Sequence, residues 1–493
     1  MKLLQVVAGA VTAGCLSAGL VTAQNVTYLP WTACANQTTT CAQANLTFAY
    51  LYGYPLYQYA LAVQRTPNAT VNSLFHQRKV STAADRWLNK PNVDTLYSRA
   101  FLDLSSSDLV INIPEIGDRY WVWPFYDAYG NNVANIGSLQ SFPAGKYRVR
   151  FDEENPGVQR LDKKSRYQAD INIPTPHAIS VVRILVQPND SDAAAVHRIQ
   201  DRLSITPVRR ASRLPSAPPL NLTMFTDPEI VPGPINTLEQ GVLKLTAKLS
   251  PYNLPMVTAD RAWVSTTLLN AGIDKGSFLQ PKGTNLTAAS QAANSSVIQE
   301  FFVPGYLQNL GNNWVHPLAE YIGNYHSAYF TRYNIAATGY LGLTRDQAMY
   351  PAFMSSTTST IIPSTKALRL TFSAKPKLKK NGFWSLTIYD ANAYLIPNDL
   401  NRYMLGDRSS IAFMNGTTRG KDGEGPFQIL IQPSNVPPPA NWTSNWLPAP
   451  ADGTGFQMNL RFYGVEDELV NGSYVYPVVE TIDAITEATT ACR

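Results

Sequence analysis

Apolar and polar residues alternate along two long stretches of this chain. Between residues 95 and 186 the segments LYSRAFLDL, LVINI, RYWVWPFYD, KYRVRF and ISVVRILV succeed one another, with Pro, Gly, Asn and Asp in the gaps. Two-residue periodicity bounded by such punctuation predicts strands, and strands in succession without helices between them predict a sandwich or barrel. From 365 the texture returns in ALRLTF, FWSLTIYD, SIAFM, PFQILIQ and GFQMNLRFYG. Elsewhere the spacing is helical. Tyr50, Tyr54 and Tyr57 recur at four and three residues within 46–63, predicting a helix interrupted near Pro55. Residues 191–205 read as a second helix capped by Ser191. Three further helical segments follow, NTLEQGVLKLTAKLS, SVIQEFFVPGYLQNL and HPLAEYIGNYHSAYFTRYNIAATGY, the last with Leu318, Ile322, Tyr325 and Tyr329 as an apolar stripe. The Pro-rich TPVRRASRLPSAPPL marks a boundary. The expected fold is α+β, mainly β. Residues 24–205 hold an N-terminal helix and a first β-sandwich, 206–220 a linker, 221–345 a helical connecting region and 346–493 a second sandwich.

One pattern is written twice. YWVWPFYDA at 120–128 and FWSLTIYDA at 383–391 share an aromatic, Trp and Tyr-Asp-Ala at identical spacing. Trp121, Trp123, Phe125 and Asp127 fall on one strand face, as do Trp384, Leu386, Ile388 and Asp390. Tyr126 and Tyr389 fall on the other, the latter beside Ser385 and Thr387. Asn135 and Asn398 follow their Asp by eight residues in both copies. Two sandwiches on related plans, an old duplication or a convergent device, account for the echo.

The chain of 493 residues is 45% hydrophobic and 15% charged, enough for more than one core. A formal charge of +5 is scattered apart from KPKLKK at 375–380, so no nucleic-acid footprint is expected. Lys2, an apolar stretch and Val21-Thr22-Ala23 read as a cleaved secretory signal over 1–23. No second apolar span of about 20 residues follows, so no membrane partner is expected after cleavage. Secretion gives meaning to Asn-x-Ser/Thr acceptors at Asn25, Asn36, Asn45, Asn68, Asn189, Asn221, Asn285, Asn294, Asn415, Asn441 and Asn471, which predict N-linked glycans. Cys15 leaves with the signal. Cys34, Cys41 and Cys492 remain, an odd number, and either a local bridge or a staple to the C-terminal tail is compatible with them.

Candidate chemistry centres on PNVDTLYS, where Asn92, Asp94 and Tyr97 gather at a strand start. Asp94 is a candidate general base with Tyr97 or His76 as acid–base partner and Asn92 as a substrate contact, against the plainer reading that Pro-Asn-Val-Asp is turn chemistry. Asp127 and Asp390 are expected to bond their own turns. Arg183, Arg402 and Arg461 lie in or beside apolar segments; each is a buried ion-pair member or, less commonly, a clamp for a carboxylate or sulfate ligand. Trp442 and Trp446, in PPPANWTSNWLPAP, offer rings for stacking on sugars or cover a sheet edge, and the sequon at Asn441 leaves Trp446 the better ligand contact. The five histidines have no metal-binding spacing, and neither GxSxG, P-loop, dinucleotide fingerprint nor CxxC occurs, so no metal or cofactor is expected.

PNVDTLYSRAFLDLS, RYWVWPFYDAYGNNVANIGS and VVRILVQPNDSDAAAVHRIQDRL resemble the domain of unknown function numbered 1254. NGFWSLTIYDANAYLIPNDLNRYMLGDR, NWLPAP and LRFYG resemble its companion numbered 1214. The resemblance implies two jelly-roll-like sandwiches with helical elements between them and carries no activity. Before ALRLTF this chain has SSTTSTIIPSTK in place of an Asp- and Gly-containing turn. Two functional classes remain. One is a secreted enzyme acting on an extracellular small molecule or glycan in an interdomain cleft; the other is a non-catalytic carbohydrate-binding or cell-wall protein.

Overall fold

The computed structural model describes residues 38–86, 90–187, 189–210, 216–300, 303–356, 358–414 and 425–486. The expected signal segment, Cys34, Cys492 and the sequons at Asn25, Asn36 and Asn415 lie outside them. The fold is α+β and mainly β. After helix α1 (Thr39–Gln64) come β1 (Phe75–His76), β2 (Thr95–Asp103), β3 (Ser107–Ile113), β4 (Trp121–Asp127), β5 (Asn132–Gly137), β6 (Gly145–Phe151), β7 (Gly157–Arg160), β8 (Ala169–Ile173), β9 (His177–Leu185), α2 (Asp190–Gln200) and β10 (Ser204–Arg209). They form two sheets ordered β1-β2-β9-β4-β5 and β10-β3-β6-β8-β7. Trp121, Trp123 and Phe125 point between the sheets onto Ile111, Val149 and Ile171, as the alternation requires. Trp123 and Phe125 lie with near-parallel rings 5.9 Å apart.

The expected boundary is displaced. β10 pairs with β3 from Ser204 to Arg209, so the first sandwich runs into the Pro-rich stretch. Pro207 is accommodated because β10 is an edge strand and need not donate outward. The cap of α2 is Asn189, whose side chain accepts from the Asp192 amide, in place of Ser191.

The second half adds α3 (Leu238–Leu249), α4 (Arg261–Asn270), a hairpin of β11 (Ile273–Asp274) and β12 (Ser277–Phe278), and α5 (Leu286–Glu300). Then follow β13 (Leu307–Gly311), β14 (Trp314–Pro317), α6 (Tyr329–Thr338), β15 (Ala348–Met349), β16 (Ala352–Phe353), β17 (Lys366–Phe372), β18 (Leu378–Asp390), β19 (Met404–Gly406), β20 (Phe427–Pro433), β21 (Trp446–Ala449), β22 (Phe456–Val465) and β23 (Val478–Asp483). The second sandwich has sheets β13-β14-β16-β22-β18-β19, with β15 also on β22, and β21-β20-β17-β23. Trp384, Leu386 and Ile388 fill its core with Phe372, Phe427 and Ile429. SIAFM forms only an isolated bridge, Phe413 to Phe427.

Helix α1 is continuous through Pro55, contrary to the expected interruption. Proline denies the Leu51 carbonyl its partner, at about 3 kcal/mol in a helix interior. Helices α3, α4, α5 and α6 all pack on α1, and burial on nearly every side outweighs that loss. Arg332 of α6 donates to the Tyr52 carbonyl of α1 and lies 4.5–4.8 Å from the ring centres of Tyr52, Tyr129 and Tyr329. The helix expected over the Leu318, Ile322, Tyr325 and Tyr329 stripe begins only at Tyr329. The β13–β14 hairpin draws residues 307–317 into the second sandwich instead. Gly323 then turns at φ 75°, where a Cβ would lie 2.5 Å from the Thr344 nitrogen.

Candidate functional site

The two copies of the aromatic strand, β4 and β18, turn their inner faces to their own cores and their outer faces to each other's module. Tyr120 and Val122 pack with Leu185, Phe383 and Tyr463 in one apolar cluster. Phe383 and Tyr463 stack at 4.2 Å, and Tyr120 meets both rings edge-on. The correspondence extends to neighbouring strands. Arg183 on β9 stands opposite Val122, and Arg461 on β22 opposite Ser385, the same position of the repeat. Gly137 and Gly406 occupy the matching places on β5 and β19; a Cβ there would lie 2.5 and 2.2 Å from the carbonyls of Trp121 and Trp384. Asp127 accepts from the amides of Tyr129 and Asn131, and Asp390 from those of Asn392 and Tyr394, so both acids bond their own turns.

Each arginine holds the tyrosine of its own repeat: Arg183 donates to Tyr126 Oη at 3.1 Å, and Arg461 donates to Tyr389 Oη. The pairs differ in counter-charge. Arg461 reaches Asp94 Oδ2 at 3.4 Å, Ser385 donates to the same oxygen at 2.8 Å, and Arg408 donates to Oδ1. Asp94 is fully buried, so this network ties the first module to the second. Arg183 is only 6% exposed and its remaining acceptor is the Leu341 carbonyl at 2.8 Å. Its Nε has no hydrogen-bond partner, and among the described residues no carboxylate lies within ion-pair distance. A guanidinium cannot shed its proton in a protein, so Arg183 is a buried charge without a counter-ion among the described residues.

Phenols surround it. Tyr97, on β2, stands opposite Arg183 with its ring 5.4 Å from the guanidinium carbon. Tyr350 follows β15, whose Met349 pairs with Phe462, and its hydroxyl lies 3.4 Å from that of Tyr463. Burial raises the phenol pKa of Tyr120, Tyr126, Tyr350 and Tyr463; Arg183 offsets part of this for the first three and Arg461 for Tyr463. Tyr389 is pushed up to about 12, by burial first, with Arg461 opposing. These hydroxyls therefore remain proton donors at neutral pH. Lys90, partly buried with its amide on the Ala393 carbonyl, has its pKa lowered to about 8 by burial and then by Arg461. Tyr97, Tyr350, Asn92 and Lys90 keep partial exposure.

The residues expected to carry chemistry are distributed as follows. Asn92 Oδ1 accepts from the amides of Asp94 and Thr95, the turn role, while its Nδ2 lies 3.4 Å from Tyr463 Oη. Asp94 is fully buried and its oxygens accept from Arg408, Arg461 and Ser385, so it is held in an ion-pair network rather than presented to a substrate. Tyr97 faces Arg183. His76 bonds Ser98, four strand residues or about 13 Å beyond Asp94, and is not its partner. Arg402 donates to the carbonyls of Thr443 and Trp446, fixing a loop. Trp446 is 6% exposed with its Nε1–H on the Gln432 carbonyl, and Trp442 packs beside it, so neither presents a face for a sugar. Sequence reasoning did not single out Arg408, Tyr350, Tyr463 or Lys90. The available signal was an arginine interrupting each of two core strands, in ISVVRILV and MNLRFYG. Among the described residues no group of His, Cys, Asp and Glu gathers to hold a metal. A surface groove of 530 Å³ between Ile116, Phe142 and Lys379 shares none of these charged groups.

Residues 71–207 match the family described as protein of unknown function DUF1254, and residues 347–467 that described as protein of unknown function DUF1214. The chain is a tandem DUF1254–DUF1214 protein. Its DUF1254 segment carries Arg183 and its DUF1214 segment Arg461. Among solved structures, the VPA0106 protein from Vibrio parahaemolyticus matches at 18% identity and a TM-score of 0.55, over 90% of this DUF1254–DUF1214 chain and 100% of its own, a likeness of fold. An uncharacterised protein from Burkholderia cenocepacia matches at 11% identity and a TM-score of 0.41, over 98% and 95%. No curated protein matches the chain.

Proposed function

We propose that this chain is a secreted glycoprotein that binds a small organic carboxylate at Arg183, where its two modules meet, and presents it with phenolic proton donors. The observation that carries the reading is Arg183: a buried, permanently charged fork with an unsatisfied Nε and no acid beside it among the described residues is matched in geometry and charge by a carboxylate. Tyr97 and Tyr350, partly exposed beside it, replace Asp94 as acid–base candidates in the enzyme reading. The alternative, a carbohydrate-binding protein, has less support because Trp442 and Trp446 are buried beneath their loop. Thermal unfolding of the mature protein with propionate or benzoate, with mass spectrometry on each mixture, tests this. A concentration-dependent rise in Tm that disappears in Arg183→Met is expected, and loss of the acid from the mixture marks turnover. A rise of equal size in Arg183→Met would sink the proposed site.

Secretion and glycosylation find support in the acceptor positions. Asn68, Asn189, Asn221, Asn285, Asn441 and Asn471 are exposed. In Asn189, Asn221, Asn285 and Asn471 the side-chain oxygen accepts a backbone amide, leaving Nδ2 for a glycan. Asn45 is 1% exposed in the middle of α1. Peptide mass mapping of secreted material before and after deglycosylation is expected to find sugars among the six exposed sites and none at Asn45. Occupancy at Asn45, or uniformly unmodified protein, would contradict it.

A further inference from the structure

Arg183 is capped by backbone. The chain leaving α6 passes over it as residues 339–342, GYLG, and the Leu341 carbonyl accepts both from Arg183 Nη2 at 2.8 Å and from Tyr126 Oη at 2.9 Å. Two observations show that this closed arrangement is costly. Tyr340 and Leu341 stand side by side in the left-handed region, at φ 42° and 56°, where bulky L residues are strained. The Tyr340 hydroxyl is buried without a hydrogen-bond partner, its ring lying so near Gly130 that a Cβ there would come within 2.9 Å of it. What holds the segment down is the pair of bonds to the Leu341 carbonyl. That carbonyl serves Arg183 incompletely, since its one oxygen fills Nη2 and leaves Nε without an acceptor. A carboxylate carries two oxygens for the guanidinium fork, and each is an ionised acceptor where the carbonyl is neutral.

Resting on the carboxylate reading above, we infer that residues 339–342 are a gate over that site: the Leu341 carbonyl is an internal stand-in for the ligand, and a carboxylate binds Arg183 by displacing it, which lifts the segment. The ligand favours the open form because only there are Nε and Nη2 both free to receive it. Relief of strain at Tyr340 and Leu341 offsets part of what opening gives up, including the bond from the Tyr340 amide to the Ile335 carbonyl. The movement is short. Helix α6 fixes one end of the segment, and Thr344, its amide on Asn132 Oδ1 and its hydroxyl accepting from Asn135, fixes the other.

Amide hydrogen exchange of the mature protein, followed by mass spectrometry with and without benzoate, tests the gate, with calorimetry on the same samples to establish binding. A ligand that settles into an open site slows exchange around it. Here benzoate is expected to speed exchange in peptides spanning 339–343 by about fivefold or more, the scale of one hydrogen bond lost, and not to speed it in β4 or β9. Tyr126→Phe and Arg183→Met each remove one bond to the Leu341 carbonyl, so each should speed exchange of 339–343 without any ligand, and in Arg183→Met benzoate should add nothing. Calorimetric binding that depends on Arg183 while 339–343 exchange at the same rate or more slowly overturns the gate and leaves the carboxylate site standing. Absence of binding by both benzoate and propionate removes the site, and the gate with it.

Discussion

Lowering the pH from 6.5 to 4 is expected to remove about 3 kcal/mol of stability through His316 alone. The ring is 4% exposed; its Nδ1–H donates to the Pro317 carbonyl and its Nε2 accepts the Tyr350 amide. Burial, the larger cause, lowers its pKa to about 4, with Arg345 adding to the effect and the Pro317 bond opposing it. The unfolded chain takes up a proton near 6.5 and the folded one only near 4, so the unfolded state binds more protons across that window. Stability therefore falls as pH falls through it, and the full loss is reached below 4. Urea unfolding of wild type and His316→Asn at intervals from pH 7 to 4 isolates this residue from His76 and His177, whose pKa values burial also lowers. Parallel pH profiles would refute the assignment. Because protonation breaks the bond to the Tyr350 amide, ligand affinity should decline over the same interval.

Asp94→Ala is expected to cost about 3–5 kcal/mol, the consequence of leaving Arg408 and Arg461 buried without their acid. Both are under a tenth exposed at the side chain, so water cannot replace the carboxylate. Adding Arg408→Met to Asp94→Ala should recover part of the loss, since it removes one of the stranded charges. A shift in the urea midpoint equivalent to less than about 1 kcal/mol for the single variant would mean that the interface tolerates the bare guanidinium groups.

Local pattern carried much of the fold and little of the site. Period-two alternation correctly assigned Trp121, Trp123 and Phe125 to one face and Tyr126 to the other, and did the same for Trp384 and Tyr389, because strand geometry depends on neighbours in sequence. The turn role of Asp127 and Asp390 was legible for the same reason. Asn135 and Asn398 looked equivalent and are not: Asn135 reaches Thr344 in the connection between α6 and β15, while Asn398 closes its own turn around Arg402. The continuous α1 was missed because what keeps Pro55 inside a helix is four partner helices that no window around residue 55 contains. Asp94 drew attention, but its role depends on Arg408 and Arg461, 314 and 367 residues away. Arg183 looked like any arginine in an apolar strand until the register set Tyr97 on one side, Val122 on the other and no acid at either.

Chain order has its own consequence for α1. Tyr52 and Arg332, which meet across the helical layer, are separated by 280 positions. During synthesis α1 emerges before every helix that packs on it, and strands β2 to β10 can pair and cover one flank of it, through Phe101, Tyr126 and Ile179, while its other faces are still bare. Full enclosure of α1 thus waits for α6, and a ribosome that stops short of Thr338 releases a chain whose first described helix keeps part of its apolar surface uncovered.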